Sequence, residues 1–146
     1  MSVFGAMDVS ATGMTAQQLR MDTISENIAN VNTTRDAHGN VYRRKTVVFE
    51  EKSYPTFDES FSMATGHIGK GVKVSQIVED NTVGNLVYDP SHPDANEDGY
   101  VMYPNVNTVT EMTNMIDATR AFEANVTVLN STKGMALKAL DIGNQS

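Results

Sequence analysis

The residues best spaced for chemistry are three oxygen-bearing side chains, Asp94, Asn96 and Asp98, followed by Gly99. Oxygens at alternate positions and a glycine at the sixth match the first half of a calcium-binding loop. The twelfth position of such a loop carries a bidentate carboxylate, whereas this chain has Asn105 there. The pattern favours a polar turn. A small calcium-responsive or partner-binding module using the Asp94–Asn105 loop stays as the alternative function.

The other residues capable of chemistry lack the spacing that catalysis or metal binding needs. No two of the three histidines have the short helical spacing of a zinc pair. Lys70 precedes Gly71 and is not followed by Ser or Thr, unlike the lysine of a phosphate-binding loop. The chain has no cysteine, which excludes disulfides and thiolate chemistry. We therefore predict no enzyme activity, no metal site and no cofactor. The three histidines are His38, His67 and His92, and the other glycines near Lys70 are Gly66 and Gly69; none of these residues is assigned a role in catalysis or ligand binding.

The charge distribution argues against nucleic-acid and membrane partners. The chain carries 11 Lys and Arg against 18 Asp and Glu, a formal net charge of −7. Its basic run, Arg43 to Lys45, is too short for a nucleic-acid site and suits an exposed strand or a salt-bridging surface. No apolar stretch approaches the roughly 20 residues that span a bilayer. We predict neither nucleic-acid binding nor membrane insertion.

The positions of proline and glycine leave both ends of the chain free to form helices. All four prolines lie between residues 55 and 104, and proline breaks helix interiors. The first helix is predicted over about Gly5 to Val31, where a polar Asn and Thr cluster stops it. One of its faces carries apolar residues at seven-residue spacing. These residues are Met7, Met14, Met21 and Ile28.

The second helix is predicted over about Thr108 to Ile142. Thr108 and Glu111 have the spacing of a capping box, which satisfies free amides at a helix start. An apolar row again recurs every seven residues, with Val126 in the neighbouring row. The row consists of Met115, Phe122, Leu129 and Ala136.

The middle of the chain has strand character, with turn signals between short β-branched and aromatic runs. Strands are expected over Tyr42–Phe49, from Val72 to Val78, over Leu86–Tyr88 and over Tyr100–Tyr103. The predicted fold class is α+β, with long N- and C-terminal helices paired antiparallel like a coiled coil and a small β-rich insert between them. The predicted segments are 1–34 (N-terminal helix), 35–106 (insert) and 107–146 (C-terminal helix).

Two helices bury both apolar stripes poorly, and leftover apolar surface on a long helical pair normally marks association. The pattern therefore indicates an assembly subunit, with an ordinary small α+β domain as the competing interpretation.

Three stretches resemble bacterial flagellar proteins. Residues 25–34, SENIANVNTT, resemble the signature that ends the N-terminal helix in flagellar rod and hook proteins. Residues 111–125, EMTNMIDATRAFEAN, resemble their C-terminal helical signature. The stretch from Asp89 to Asn107, with its DPSHPD and YPNVN segments, is similar to the C-type proximal rod subunits, the FlgC family.

This resemblance implies a structural subunit of the proximal rod of the flagellar basal body. Such subunits polymerise into the helical drive-shaft tube that transmits torque and forms the export channel. The implied partners are other copies of the chain, other rod subunits, the adaptor at the MS ring and the flagellar export apparatus. The implied location is the periplasmic rod, reached without a cleaved signal peptide. The sequence agrees with this, because a secretory signal begins with basic residues. Here no Lys or Arg precedes Arg20, and Asp8 is acidic.

Within that resemblance, two sets of residues become candidates for subunit contacts. The apolar seam between helices is expected to comprise Met14, Met21, Ile28, Met115, Phe122, Val126 and Leu129. Asn27, Asn30 and Asn32 are expected to cap the helix end and hydrogen-bond the turn into the insert. Arg120 and Glu123 are expected to make polar contacts between neighbouring helices.

Overall fold

The computed structural model describes residues 3–35, 39–52 and 71–144. In chain order the elements are α1 (Val3–Ala29), β1 (Lys45–Glu51), β2 (Val72–Glu79), β3 (Leu86–Tyr88), β4 (Tyr100–Met102) and α2 (Thr108–Asn144). The strands form two two-stranded sheets, β1 with β2 and β3 with β4. The predicted α+β class, two long helices flanking a β-containing insert, is confirmed. Among the residues set aside above, His38, His67, Gly66, Gly69 and Lys70 lie outside the described residues.

Helix α1 ends two residues before the predicted end. The Asn30 side-chain amide donates to the carbonyl of Glu26 at 2.9 Å, and the Val31 N–H turns to the carbonyl of Ile28 at 3.3 Å. The Thr33 N–H then bonds the carbonyl of Asn30. These bonds satisfy helix-end groups through a tight turn instead of a further helical residue.

Helix α2 begins at Thr108 as expected, but its cap is a different residue. The Asn107 Oδ1 atom accepts from the backbone N–H groups of Val109 at 3.0 Å and Thr110 at 3.1 Å. Asparagine is a preferred N-cap because it satisfies these free amides. The predicted Thr108–Glu111 capping box is wrong, because the Glu111 carboxylate bonds side chains outside α2.

The strands follow the β-branched runs, with one shifted start. Sheet β1–β2 is bounded by backbone bonds from the Lys52 N–H to the Gly71 carbonyl and from the Asp80 N–H to the Arg44 carbonyl, an antiparallel arrangement. Strand β1 begins at Lys45 instead of Tyr42, because the Arg44 N–H bonds a side chain, Asn105 Oδ1, and not a neighbouring strand. Strands β3 and β4 are antiparallel.

The chain divides into two compact units, and each helix contributes to both. Within the described residues, the central unit comprises 19–35, 39–48 and 76–118. The terminal unit comprises 3–18, 49–52, 71–75 and 119–144. In the central unit, Asn27 near the end of α1 bonds Glu111 in the first turn of α2. In the terminal unit, Gly13 of α1 faces Asn125 of α2. In each unit, therefore, a part of α1 contacts a part of α2.

The buried residues are mostly small or polar. In the part of the chain that the structure describes, the buried apolar residues are Ala16, Ile24, Val101, Val106 and Ala118. Five polar residues are equally buried, namely Ser10, Thr23, Asn27, Glu111 and Thr132. Neither described helix has the length and apolarity needed to cross a bilayer.

Candidate functional site

The centre of the central unit is the fully buried side chain of Asn27. Its Nδ2 atom donates to the Lys45 carbonyl at 2.8 Å and to Glu111 Oε2 at 2.9 Å. Its Oδ1 atom accepts from the Lys45 N–H and from the Tyr42 hydroxyl, both at 2.9 Å. An asparagine side chain has two donors and two acceptor lone pairs, so Asn27 is saturated. Through this one side chain α1 is attached to the start of β1, to Tyr42 before it and to α2.

Glu111 is the second buried member of this cluster, with a carboxylate that is 1% exposed. Its Oε1 atom accepts from Arg44 Nε at 2.9 Å and lies 2.8 Å from Arg44 Nη2. The Asn114 amide also donates to Oε1, at 3.3 Å. A buried carboxylate is tolerated only when it is paired and hydrogen-bonded. Asn27 and Arg44 supply these partners, one from α1 and one from the insert.

Asn105 connects the cluster to the segment after β2. Its Oδ1 atom accepts from the Arg44 N–H at 2.9 Å. Its Nδ2 atom donates to the Asp80 carbonyl at 3.0 Å and to Thr82 Oγ1 at 2.8 Å. The Asp80 carboxylate in turn accepts from the Thr82 N–H and hydroxyl, and these hydrogen bonds lower the pKa of Asp80. We call Asn27, Tyr42, Arg44, Asn105 and Glu111 the polar cluster.

Tyr42 and Lys45 close the polar cluster on its outer side. The Lys45 Nζ atom pairs with Glu26 Oε1 at 2.6 Å and lies 5.6 Å from the Tyr42 ring centroid. Burial raises the pKa of the Tyr42 hydroxyl to about 12, and the carboxylates of Glu26 and Glu111 add to this effect. The hydroxyl is therefore kept as a neutral donor to Asn27.

The oxygens of the predicted calcium-like turn are engaged within the protein. Asp94 forms an ion pair with Arg35 and accepts from the Thr34 hydroxyl at 2.8 Å. The Asn96 Oδ1 atom accepts from the backbone N–H groups of Asp98 at 3.1 Å and Tyr100 at 2.8 Å. No group of three or more His, Cys, Asp or Glu side chains among the described residues is placed to hold a metal ion. This geometry is that of a polar turn.

The nearby turn at residues 89–92 uses its side chains in the same local way. Asp89 accepts from the Ser91 hydroxyl and N–H, and these bonds lower the pKa of Asp89. The Asp94 N–H donates to His92 Nδ1 at 3.1 Å, so His92 serves as a turn acceptor.

The residues predicted for subunit contacts occupy different environments. The seam residues are all partly buried, in the terminal unit (Met14, Phe122, Val126, Leu129) or the central unit (Met21, Ile28, Met115). Asn27 and Asn30 bond the insert and the helix end as described, whereas Asn32 is exposed. Arg120 and Glu123 are both exposed on α2. Their roles towards other subunits stay predictions.

Sequence comparison places both ends of the chain in flagellar families. Residues 7–35 match the family described as flagella basal body rod protein, and residues 97–142 match the C-terminal family of the flagellar basal body rod FlgEFG proteins. The chain is 48% identical to the flagellar basal-body rod protein FlgC of Bacillus subtilis, over 98% of this chain and 99% of the relative. The chain belongs to the FlgC family.

Two further FlgC proteins extend the match across distant bacteria. That of Borreliella burgdorferi is 46% identical, over 97% of this chain and 98% of the relative. The FlgC protein of Escherichia coli O6:H1 is 38% identical, over 98% of this chain and 99% of the relative. FlgC proteins are structural rod components and are not known as enzymes. The chain is therefore a structural subunit of the flagellar basal-body rod that assembles with other rod components.

Sequence reasoning missed the polar cluster of this FlgC-family chain, although two residues signalled it. Asn27 follows buried Ile24 by three positions, and Glu111 precedes buried Ala118 by seven. Helical residues at these spacings share a face. A polar side chain on the buried face of each helix therefore indicates a buried pair, and Arg44 is the cation that neutralises its carboxylate.

Proposed function

We propose that this chain is a subunit of the proximal rod, where it polymerises with copies of itself and other rod subunits into a helical tube. This tube transmits torque as a drive shaft, and its lumen forms the export channel. The seam residues Met14, Met21, Ile28, Met115, Phe122, Val126 and Leu129 pack between helices of the assembly. Arg120 and Glu123 make polar contacts between neighbouring helices.

The observation that carries this proposal is the amount of large apolar side chain left exposed along α2. Eight such residues are at least half exposed along this helix. Extended apolar surface on a soluble chain marks sites of protein association. Repeated contacts between unlike surfaces, related by a rotation that does not close, build a helical tube. The eight residues are Val109, Met112, Ile116, Val128, Met135, Leu137, Leu140 and Ile142.

The polar cluster supports the torque-bearing part of the proposal. It ties α1, the segment before β1 and α2 together with short hydrogen bonds and one buried ion pair. Buried networks of this kind specify one arrangement because any shift leaves a polar group without a partner. A force applied to one helix of the central unit is therefore passed to its other segments.

We further propose that the chain occupies the periplasmic rod, contacts the adaptor at the MS ring, and leaves through the flagellar export apparatus without a cleaved signal. Membership of the FlgC family supports these points. The helix stripes are only partly buried within one chain. Completing their burial between subunits couples completion of the fold to assembly, which is compatible with transport of an unfolded chain.

The primary experiment is mass spectrometry of detergent-purified basal bodies, combined with deletion of the gene. We expect the protein in the particle, with its N-terminal peptide intact, and a deletion strain without hooks or swimming. Localisation of a tagged copy next to the MS ring by electron microscopy tests the proximal position. Swimming in the deletion strain, or a tag at the distal end of the rod, would contradict the proposal.

A single substitution tests the apolar seam. Phe122→Asp places a charge on a partly buried face of α2, and we expect loss of assembly and motility. Phe122→Leu is the matched control, because it keeps an apolar side chain of similar size and should retain swimming. Normal swimming of the Phe122→Asp strain would remove Phe122 from the seam.

A further inference from the structure

The hairpin of β3 and β4 has one face made entirely of large apolar side chains. In its register Leu86 pairs with Met102, and Tyr88 pairs with Tyr100. Paired residues of an antiparallel ladder point to the same side, and alternate residues share that side. The four side chains therefore form a single patch, which we call the hairpin face. Across it the rings of Tyr88 and Tyr100 meet edge to face, with centroids 5.2 Å apart.

The hairpin face is exposed, whereas the opposite side of the hairpin contributes to the core through Val101. Leu86 is 58% exposed, Tyr88 65%, Tyr100 43% and Met102 39%; on the other side Val87 is 45% exposed and Val101 is fully buried. Two aromatic rings held together on an open strand pair are a typical anchor of a protein interface. Within the part of the chain that the structure describes, the hairpin face is thus left open to a partner.

The charge beside the hairpin face is negative. The connection from Asp89 to Gly99 contains four carboxylates and no Lys or Arg. Asp94 is neutralised by Arg35, whereas Glu97 and Asp98 are exposed directly before β4. A matching partner therefore needs an apolar stripe with a cation next to it.

The distal part of α2 carries such a stripe. Val128, Met135 and Ile142 recur every seven residues and are 52%, 60% and 73% exposed. Lys138 follows Met135 by three positions and precedes Ile142 by four, so it lies on the same face. A helix packs onto a sheet through such a stripe, at a distance of about 10 Å.

We propose that the hairpin face of one copy binds the Val128–Met135–Ile142 stripe of α2 in a second copy, with Lys138 next to Glu97 and Asp98. The contact joins two different surfaces, so each copy can bind one neighbour with its hairpin and another with its helix. This inference rests on the proposed polymerisation and assigns it a specific pair of surfaces.

The chain has no cysteine, so engineered cysteines can map this contact in assembled rods. One copy carries Leu86→Cys with an affinity tag, and a second, untagged copy in the same cells carries Met135→Cys. The matched control replaces Met135→Cys by Asn130→Cys. Asn130 is exposed on the same helix, and five residues turn a helix by about 140°. Basal bodies are purified and treated with a mild oxidant.

We expect a tagged–untagged dimer of the chain with Met135→Cys and only background with Asn130→Cys. Equal products from both pairs, no product from incorporated subunits, or a product with a different rod protein would overturn the assignment. Absence of the unmodified chain from basal bodies would instead refute the proposed rod function itself.

A charge exchange provides an independent measurement. Asp98→Lys and Lys138→Asp should each reduce swarm diameter, and the double variant should restore it, because every copy then carries both exchanged surfaces. A double variant that swarms no better than the poorer single variant would overturn the pairing with α2.

Discussion

The two compact units satisfy their buried polar side chains in different ways. In the terminal unit the hydroxyls of Ser10 and Thr132 bond carbonyls of their own helix, four residues earlier. In the central unit Thr23 does the same, but Asn27 and Glu111 also bond partners from 15 to 84 residues away along the chain. Local bonds leave the neighbouring segment undetermined, whereas distant bonds select one neighbour and one register.

The terminal unit instead relies on close approach of backbone and small side chains. A Cβ atom added to Gly13 would come within 3.1 Å of the Asn125 amide. Gly71 has a φ of +106°, and a Cβ there would overlap the Thr12 hydroxyl, which accepts from the Val72 N–H at 3.1 Å. The central unit also has close approaches, at Gly84 and Gly99. The comparison therefore teaches that both units depend on available space, and that the central unit is further specified by distant bond partners.

The largest expected effect comes from removing the buried carboxylate of the central unit. Glu111→Ala leaves Arg44 and the Asn27 amide without their acceptor, and breaking a buried pair in this way costs about 3–5 kcal/mol. Urea unfolding of the purified chain measures the loss. Glu123→Ala, an exposed site on the same helix, should change stability by less than about 0.5 kcal/mol. Equal effects of the two substitutions would mean that the polar cluster does not stabilise the unit.

The next effect tests space in the terminal unit. Gly71→Ala forces an L-residue into the left-handed region, at a cost of about 1–3 kcal/mol, and adds the overlap with Thr12. The same substitution in a Thr12→Ala background should cost less, because only the backbone strain remains. Calorimetric melting of the unmodified chain, the two single variants and the double variant gives the coupling energy between positions 71 and 12. Purely additive losses of stability would show that the overlap with Thr12 is unimportant.

A smaller effect concerns the Tyr42 hydroxyl. Its pKa is raised from 10.0 to about 12 in the fold, so the folded state holds this proton more tightly than the unfolded chain. Its contribution is complete below pH 10 and is lost as the pH rises from about 10 to about 12. Tyr42→Phe should cost about 1 kcal/mol at neutral pH and flatten this part of the pH profile. Urea unfolding at stepped pH checks both, and an unchanged profile would contradict the raised pKa.

The smallest effect compares two helical glycines. At Gly134 an added Cβ meets nothing within 4 Å, so Gly134→Ala should stabilise the chain by up to about 1 kcal/mol. At Gly13 the same gain is offset by crowding of Asn125, and little or no stabilisation is expected. Thermal melting of the two variants measures the two changes in stability. An equal gain at both sites would mean that the Asn125 side chain moves away from an added Cβ atom at no cost.

Local rules recovered most of the fold. The positions of proline and the β-branched runs located α1, α2 and the strands, because these preferences act within a few residues. The rules failed where a distant partner intervened. Thr108 and Glu111 had the spacing of a capping box, but Arg44 and Asn27 engage the carboxylate, and Asn107 provides the cap. Likewise β1 starts late because Asn105 bonds the Arg44 N–H.

Less of the candidate site could be predicted from local sequence patterns. Asn27 lies near the end of α1, and its side chain bonds the backbone of Lys45 in the insert. The short basic run indicates an exposed strand or a surface facing an acidic neighbour, but Arg44 pairs with a glutamate of its own chain. A sequence separation of 67 residues lies beyond any periodic pattern, so only the three-dimensional arrangement identifies this partner.

The hydrogen bond between Asn27 and Glu111 also has a consequence for the timing of folding. Its two ends are 84 residues apart, so a ribosome must make most of the chain before the second end exists. Until then Asn27 and Arg44 lack their shared acceptor, and closing so long a loop carries an entropic cost. The nascent chain therefore remains without its central unit throughout most of its synthesis.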